Sequence, residues 1–268
     1  MYGAIIGDII GSVYEFNNIK TKEFPLFTSS NRFTDDTVMT VAVADAVLKC
    51  KVGNKIDNID FFKESLCSSM HYWGRKYWKA GYGQKFIWWL MHESNEPYNS
   101  FGNGSAMRVS PIAWICDTLD DTLKLAKASS EVTHNHPEGI KGAEVVAGAI
   151  FLAKSGASRD DIRKFVLQYY EISFTLDDIR PAYRHVESCM ESVPQALEAF
   201  FESSSFEDAI RCAISIGGDS DTIAAITGSV AEAFYGIPKE LKEKASMHVD
   251  PPLLEIINDF CKCIPALA

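Results

Sequence analysis

The chain is 268 residues long, long for one domain and short for two, so a single large domain is expected. Its 26 basic residues against 36 acidic ones leave a net charge of −10, which argues against any partner held mainly by neutralising a phosphate backbone; no nucleic acid is expected. With 47% hydrophobic residues a sizeable core is possible, and seven cysteines, odd in number and without a C-x-x-C pair, suit a reducing, cytoplasmic compartment rather than a disulfide framework.

The N-terminal run MYGAIIGDIIGSVYEF is apolar. It lacks a basic flank, Asp8 interrupts it, and it is shorter than the ~20 residues of a membrane span, so it reads as a buried helix and no membrane partner is expected. Gly3, Gly7 and Gly11 recur every fourth residue and bare one face for another helix. Residues 17–34, polar and β-branched with Pro25, read as a loop. Residues 35–50 are apolar on nearly every face and open on acids, which suits a buried helix whose positive end takes negative charge.

A more polar amphipathic segment near 58–72 precedes an aromatic-rich stretch at 72–89 with Trp73, Trp78, Trp88 and Trp89. That stretch reads as core or interface before it reads as a base-stacking platform. Residues 92–105 are loop chemistry, and the glycine-rich segment 101–108 feeds an apolar helix reading SAMRVSPIAWI. Further amphipathic helices are expected near 119–130, 159–170, 192–202 and 238–247. Apolar helices are expected at 137–154, opening on Pro137, and at 221–235, ending at Gly236 with Pro238 beyond. Strand signals are weak throughout. The expected fold is all-α: one compact multi-helix domain over residues 1–268, its amphipathic helices packed around the apolar ones.

Two segments carry most of the chemistry. Thr34-Asp35-Asp36-Thr37 and Gly217-Gly218-Asp219-Ser220-Asp221-Thr222 each put carboxylates and hydroxyls at the start of a buried helix. Either one alone is an ordinary helix cap. Together they bring four carboxylates to the mouths of two buried helices, and a hard divalent cation relieves such repulsion. An all-oxygen shell suits Mg²⁺, Mn²⁺ or Ca²⁺ and lacks the cysteine or histidine spacing of a zinc site. The glycines of FGNGSAMR let a ligand approach the backbone at a helix start that favours an anion. His134 and His136 are two apart before a proline, which suits capping or ligand contact better than a metal pair. Glu15 follows the first helix in an apolar setting that would raise its pKa.

Taken in order, these segments resemble the ADP-ribosylglycohydrolase family, the relatives of dinitrogenase-reductase-activating glycohydrolase. The resemblance runs through GAIIGDIIGSVYEF, FTDDTVMTVAVADAVL, SFGNGSAMRVSPIAW, THNHPEGIKGAEVVAGAIFLA and ISIGGDSDTIAAITGSVAEAFYGIP, nearly the whole chain. It implies an all-helical fold with two magnesium ions, or manganese, at the base of a cleft. On this sequence the implied metal ligands are Thr34, Asp35, Asp36, Asp219, Asp221 and Thr222. Glu15 is the implied catalytic carboxylate, with Asp35 and Asp219 as the other candidates for proton transfer. Gly102, Asn103, Gly104 and Ser105 match the phosphate and ribose contact segment, His134 a residue near the ligand, and Phe101 and Tyr98 are candidates to stack on adenine.

The implied partner is an ADP-ribosylated protein or a small ADP-ribose conjugate, cleaved at the C1″ glycosidic bond with oxocarbenium-like charge developing on the distal ribose. Whether arginine or serine bears the ADP-ribose stays open, as does the choice of acid and base. The 17–34 and 92–101 loops are expected to shape the side of the cleft facing the leaving group. Two other readings compete. A helical magnesium enzyme of diphosphates shares Asp35-Asp36, but a D-D-x-x-D motif needs an acid where Met39 stands. A silent ADP-ribose binder is disfavoured by intact acids in both clusters.

Overall fold

The computed structural model describes residues 1–53 and 56–264. Helices α1 (Tyr2–Gly11), α2 (Asp35–Val52), α3 (Ile59–Lys76) and α4 (Gln84–Met91) are followed by two short ones, α5 (Gly104–Met107) and α6 (Ser110–Ile115). Then come α7 (Leu119–Glu131), α8 (Pro137–Lys154), α9 (Arg159–Val166) and the single turn α10 (Leu176–Ile179). The chain closes with α11 (Cys189–Glu202), α12 (Phe206–Ser215), α13 (Ser220–Tyr235), α14 (Lys239–Ser246) and α15 (Pro251–Cys263). Among the described residues there is no strand, only an antiparallel bridge between Gly102 and Ser188. No helix of the described residues is long and apolar enough to cross a membrane. All seven cysteines are free thiols.

Local chemistry accounts for the helix starts. Thr34, Asn58, Thr118, Ser158 and Ser205 each accept a backbone N–H of the first turn through the side chain. Every residue of α1 is buried, because its bare face lies directly on α13. A Cβ built on Gly3 would sit 2.0 Å from the Gly228 carbonyl oxygen, and one on Gly7 2.1 Å from that of Ala224. Only glycine allows two backbones that close. α2, α8 and α13 supply the centre of one continuous core, and α3, α7, α11, α12 and α15 pack around them.

Three departures from the sequence reading have local causes. The expected helix SAMRVSPIAWI is broken into α5 and α6, because the Pro111 ring cannot follow the Met107 carbonyl within one helix. α11 starts at Cys189, three residues before the expected 192, where its N–H is held by the Phe101 carbonyl at 3.0 Å. α4, the single turn α10, α12 and α15 lie outside the helices expected from the sequence; α15 opens on Pro251-Pro252, where a helix needs no backbone N–H.

Candidate metal centre and cleft

Three helix ends converge at the bottom of one cleft of about 550 Å³. The contact of α1 on α13 brings the end of α1, and Glu15 beyond it, beside Asp219 and Asp221. Asp8, buried inside α1, reaches the start of α2. Its Oδ1 accepts the Thr34 hydroxyl at 2.7 Å, and its Oδ2 accepts the Thr34 N–H at 2.9 Å and the Thr37 N–H at 3.0 Å, with the Thr37 hydroxyl as a fourth donor. The first turn of α2 is thereby fixed, with Asp35 and Asp36 facing the cleft. Across it, the Thr222 hydroxyl donates to Asp36 Oδ2 at 3.1 Å and the Thr222 N–H to Asp221 Oδ1 at 3.0 Å. Asn103 Nδ2 donates to Asp219 Oδ2 at 2.7 Å and to the Ser192 hydroxyl at 3.1 Å, tying the glycine loop to α13 and α11.

The electrostatics are those of a site built for positive charge. Burial first, and then mutual repulsion, raises Asp35, Asp36 and Asp221 well above the usual carboxylate range. Burial pushes Asp219 up to about 6, against the lowering pull of its hydrogen bonds. Glu15 is raised to about 7 by burial and the nearby Asp221. Among the described residues no lysine, arginine or histidine forms an ion pair with Asp35, Asp36, Asp219 or Asp221. Asp36 Oδ1 is buried with no hydrogen-bond partner. Buried anions left unpaired are costly, and hard oxygen donors in this number fit a divalent cation. Glu15, His185 and Asp219 form a second grouping, each offering one atom within 4.8 Å of the others.

Not every residue singled out from the sequence faces this cleft. Glu15, Asp35, Asp36, Gly102, Asn103, Gly104, His134, Asp219, Asp221 and Thr222 line it. Thr34 lies behind it, its hydroxyl held by Asp8. The Ser105 hydroxyl is spent inside the core on the Gly139 carbonyl at 2.8 Å. Phe101 packs on His136, ring centroids 5.4 Å apart, outside the cleft lining, whereas Tyr98 lines the cleft 5.8 Å from the His134 ring. The imidazole of His134 is held neutral by burial and by the positive charges of Arg108 and Lys85. A Cβ on Gly104 would stand 3.1 Å from its Nε2, so the glycine leaves room for the ring.

The 17–34 loop, expected to shape the leaving-group side, does not line the cleft; Asn18 and Lys20 instead brace the Gly217-Gly218 turn and its surroundings. The wall comes from residues 81–86 and from His185 and Glu187, which sequence reasoning missed. Lys85 is a cation in that wall, and Tyr82 places a buried hydroxyl without a partner there. A larger groove of about 950 Å³ runs between α3 and the 93–97 segment, where Lys63 is paired with Glu131 at 2.5 Å and Arg75 with Glu93 at 2.8 Å.

Comparison with known proteins adds four findings. A profile of the ADP-ribosylglycohydrolase family matches residues 1–264. ADP-ribosylhydrolase ARH3 of Mus musculus is 25% identical, over 88% of this chain and 82% of its own length. ADP-ribosylarginine hydrolase Tri1 of Pseudomonas putida (strain GB-1) is also 25% identical, over 96% of this chain and 76% of its own. A solved structure described as an ADP-ribosylglycohydrolase-related protein complex superposes with a TM-score of 0.69 at 21% identity, covering 96% of this chain and 94% of that one, so it shares the fold.

Proposed function

The chain belongs to the ADP-ribosylglycohydrolase family, and from that premise we propose that it is a magnesium-dependent hydrolase releasing ADP-ribose from a modified side chain or a related conjugate by cleaving the C1″ bond. The observation that carries this reading is the meeting, at the base of one cleft, of Asp35 and Asp36 from the start of α2 with Asp219 and Asp221 from the start of α13, none of them in an ion pair among the described residues and Glu15 beside them. Asp35, Asp36, Asp219, Asp221 and Thr222 are the residues that would hold two Mg²⁺, or Mn²⁺, with Thr34 supporting them from behind. When bound, the ions supply positive charge that orients the hydroxyls of the distal ribose and polarises an attacking water.

The remaining roles fall to the protein. Water adds to C1″ as the bond to the nitrogen or oxygen of the leaving side chain breaks, so one proton must leave the water and one must reach the leaving atom. Glu15, half-buried beside Asp219 and Asp221 at the cleft base, is the carboxyl placed to make either transfer. Asp35 and Asp219 are the alternatives. Asn103 orients Asp219 through its 2.7 Å hydrogen bond. Lys85 offers charge to the pyrophosphate from the cleft wall, neutral His134 a hydrogen bond, and Tyr98 a face for adenine.

The test is release of free ADP-ribose from arginine-linked and serine-linked peptides, in Mg²⁺ and in EDTA. Magnesium-dependent release from either supports the reading and names the linkage. ADP-ribose binding without release from any conjugate would overturn the hydrolase, and absence of binding would overturn the ligand as well.

A further inference from the structure

The chain carries −10 overall, yet from residue 65 to residue 92 it has no Asp or Glu and four cations, Arg75, Lys76, Lys79 and Lys85. This segment is the end of α3, the turn after it and α4, and it carries the largest concentration of exposed aromatic surface. Tyr72 is 56% exposed, Trp78 65%, Trp88 55% and Met91 74%. The ammonium of Lys76 lies 5.7 Å from the Tyr72 ring centre, and that of Lys79 lies 5.4 Å from the Trp78 ring centre. Arg75 is paired with Glu93, Lys85 belongs to the cleft wall and Asp250 lies against Tyr77, so the surface's unpaired cations are Lys76 and Lys79, neither of which belongs to any ion pair among the described residues. Trp88, exposed beside the buried Trp89 on α4, stacks on His92 at 4.3 Å.

The surface is firmly built and borders the cleft. The ring of His71 stacks on Trp89 at 4.0 Å, and a Cβ on Gly74 would meet Leu90 at 2.8 Å, so α3 and α4 are in tight contact. The turn carrying Trp78 and Lys79 is pinned by the Ala80 N–H on the Tyr77 carbonyl at 3.0 Å. Its far end is held by the Asp35 N–H on the Ala80 carbonyl, also at 3.0 Å. Gly81, next in the chain, already lines the cleft. A segment lying on Trp78 and Lys79 is therefore at the mouth of the site.

We propose that this surface docks an acidic segment of the polypeptide that carries the ADP-ribose, presenting the modified side chain to the cleft; the identity of that polypeptide as substrate rests on the hydrolase reading above. Charge complementarity selects the occupant. Unpaired lysines among exposed tryptophan and tyrosine favour carboxylates with interspersed apolar groups, since aromatic anchors beside cations are the groups that carry interface affinity. A nucleic acid fits less well, because its phosphate charge extends along the whole molecule and meets the remaining acidic surface, whereas a short peptide feels only charges within about 10 Å.

The experiment uses the full chain and two peptides bearing the same ADP-ribosylated residue, one flanked by Asp and Glu and the other by Lys. Binding of each is read by fluorescence anisotropy, and turnover is measured separately. The acidic peptide should have the lower KM by about 5- to 10-fold, the effect of two exposed charge pairs, at unchanged kcat. The double variant K76E/K79E should abolish or reverse the preference while leaving hydrolysis of ADP-ribose joined to a free amino acid unchanged. W78A should weaken acidic-peptide binding on its own. Equal binding of the two peptides by the wild type would overturn the proposal. So would tighter binding of a single-stranded oligonucleotide, or a dimer that K76E/K79E converts to monomer. If neither peptide is hydrolysed but the acidic preference persists in anisotropy, the hydrolase reading fails and the docking surface stands.

Discussion

Asp8 shows how a single buried carboxylate can organise a site it does not line. It takes two N–H and two O–H donors from Thr34 and Thr37, so the first turn of α2 has one orientation. Asp8→Asn replaces an acceptor oxygen with an amide N–H aimed at those donors. The expected cost is about 2–3 kcal/mol of stability, read from urea unfolding, together with weaker Mg²⁺ binding by calorimetry. An unchanged midpoint would show that Asp8 is dispensable to the turn. Glu15 is the opposite case, half-buried and free to exchange protons. Glu15→Gln should lower kcat by about 100-fold or more with ADP-ribose binding retained, and full turnover would remove Glu15 from the chemistry. Asn103→Ala removes the donor that holds Asp219, and should weaken metal binding by about 10-fold or more without abolishing the fold, as loss of an orienting partner does.

At the scale of helices, the site depends on how closely α1 lies on α13. Gly7→Ala places a methyl group 2.1 Å from the Ala224 carbonyl oxygen, so the two helices must separate and carry Glu15 away from Asp221. The expected loss is about 3 kcal/mol, with metal affinity falling in parallel. Gly156→Ala is the control: its backbone has φ +79° but its surroundings are open, so only the left-handed conformation is penalised, about 1 kcal/mol. Urea midpoints for the two variants check both numbers. This contact was legible because every fourth residue is glycine, a pattern that few other needs produce. The acid clusters were legible for a similar reason, since each is contiguous and sits where a helix must begin. Asp8 was not, because within MYGAIIGDIIG it reads as an interruption in an apolar run and its four donors come from residues more than twenty positions away. Lys85, His185 and Glu187 were equally hidden. They come from a turn and an irregular segment whose path depends on remote packing, including the pairing of Gly102 with Ser188.

Over the whole molecule, the buried acids make stability depend on pH and metal together. In the folded chain Glu15 is raised to about 7 and Asp219 to about 6, and Asp35, Asp36 and Asp221 lie well above the usual range. In the unfolded chain all of them titrate near pH 4. A carboxyl raised on folding binds its proton more tightly in the folded state. Its stabilisation is therefore complete below about pH 4 and is lost as pH rises through the folded value. His134 and His71, lowered on folding, act in the opposite direction below their unfolded value near 6.5, so in EDTA the melting temperature should fall chiefly between pH 6.5 and pH 7.5, by about 5 °C for a chain of this size. The carboxylates lowered on folding, Asp161, Asp178 and Asp208, act in the opposite direction but below this window. Mg²⁺ binds only the ionised carboxylates, so the stabilisation it adds should grow over the same interval and cancel the fall. Asp36→Asn removes one of the charges and should flatten the EDTA profile while shrinking the magnesium effect. A melting temperature that is flat in EDTA, or a magnesium effect independent of pH, would mean that the acids are satisfied within the protein and that the cleft is not a cation site.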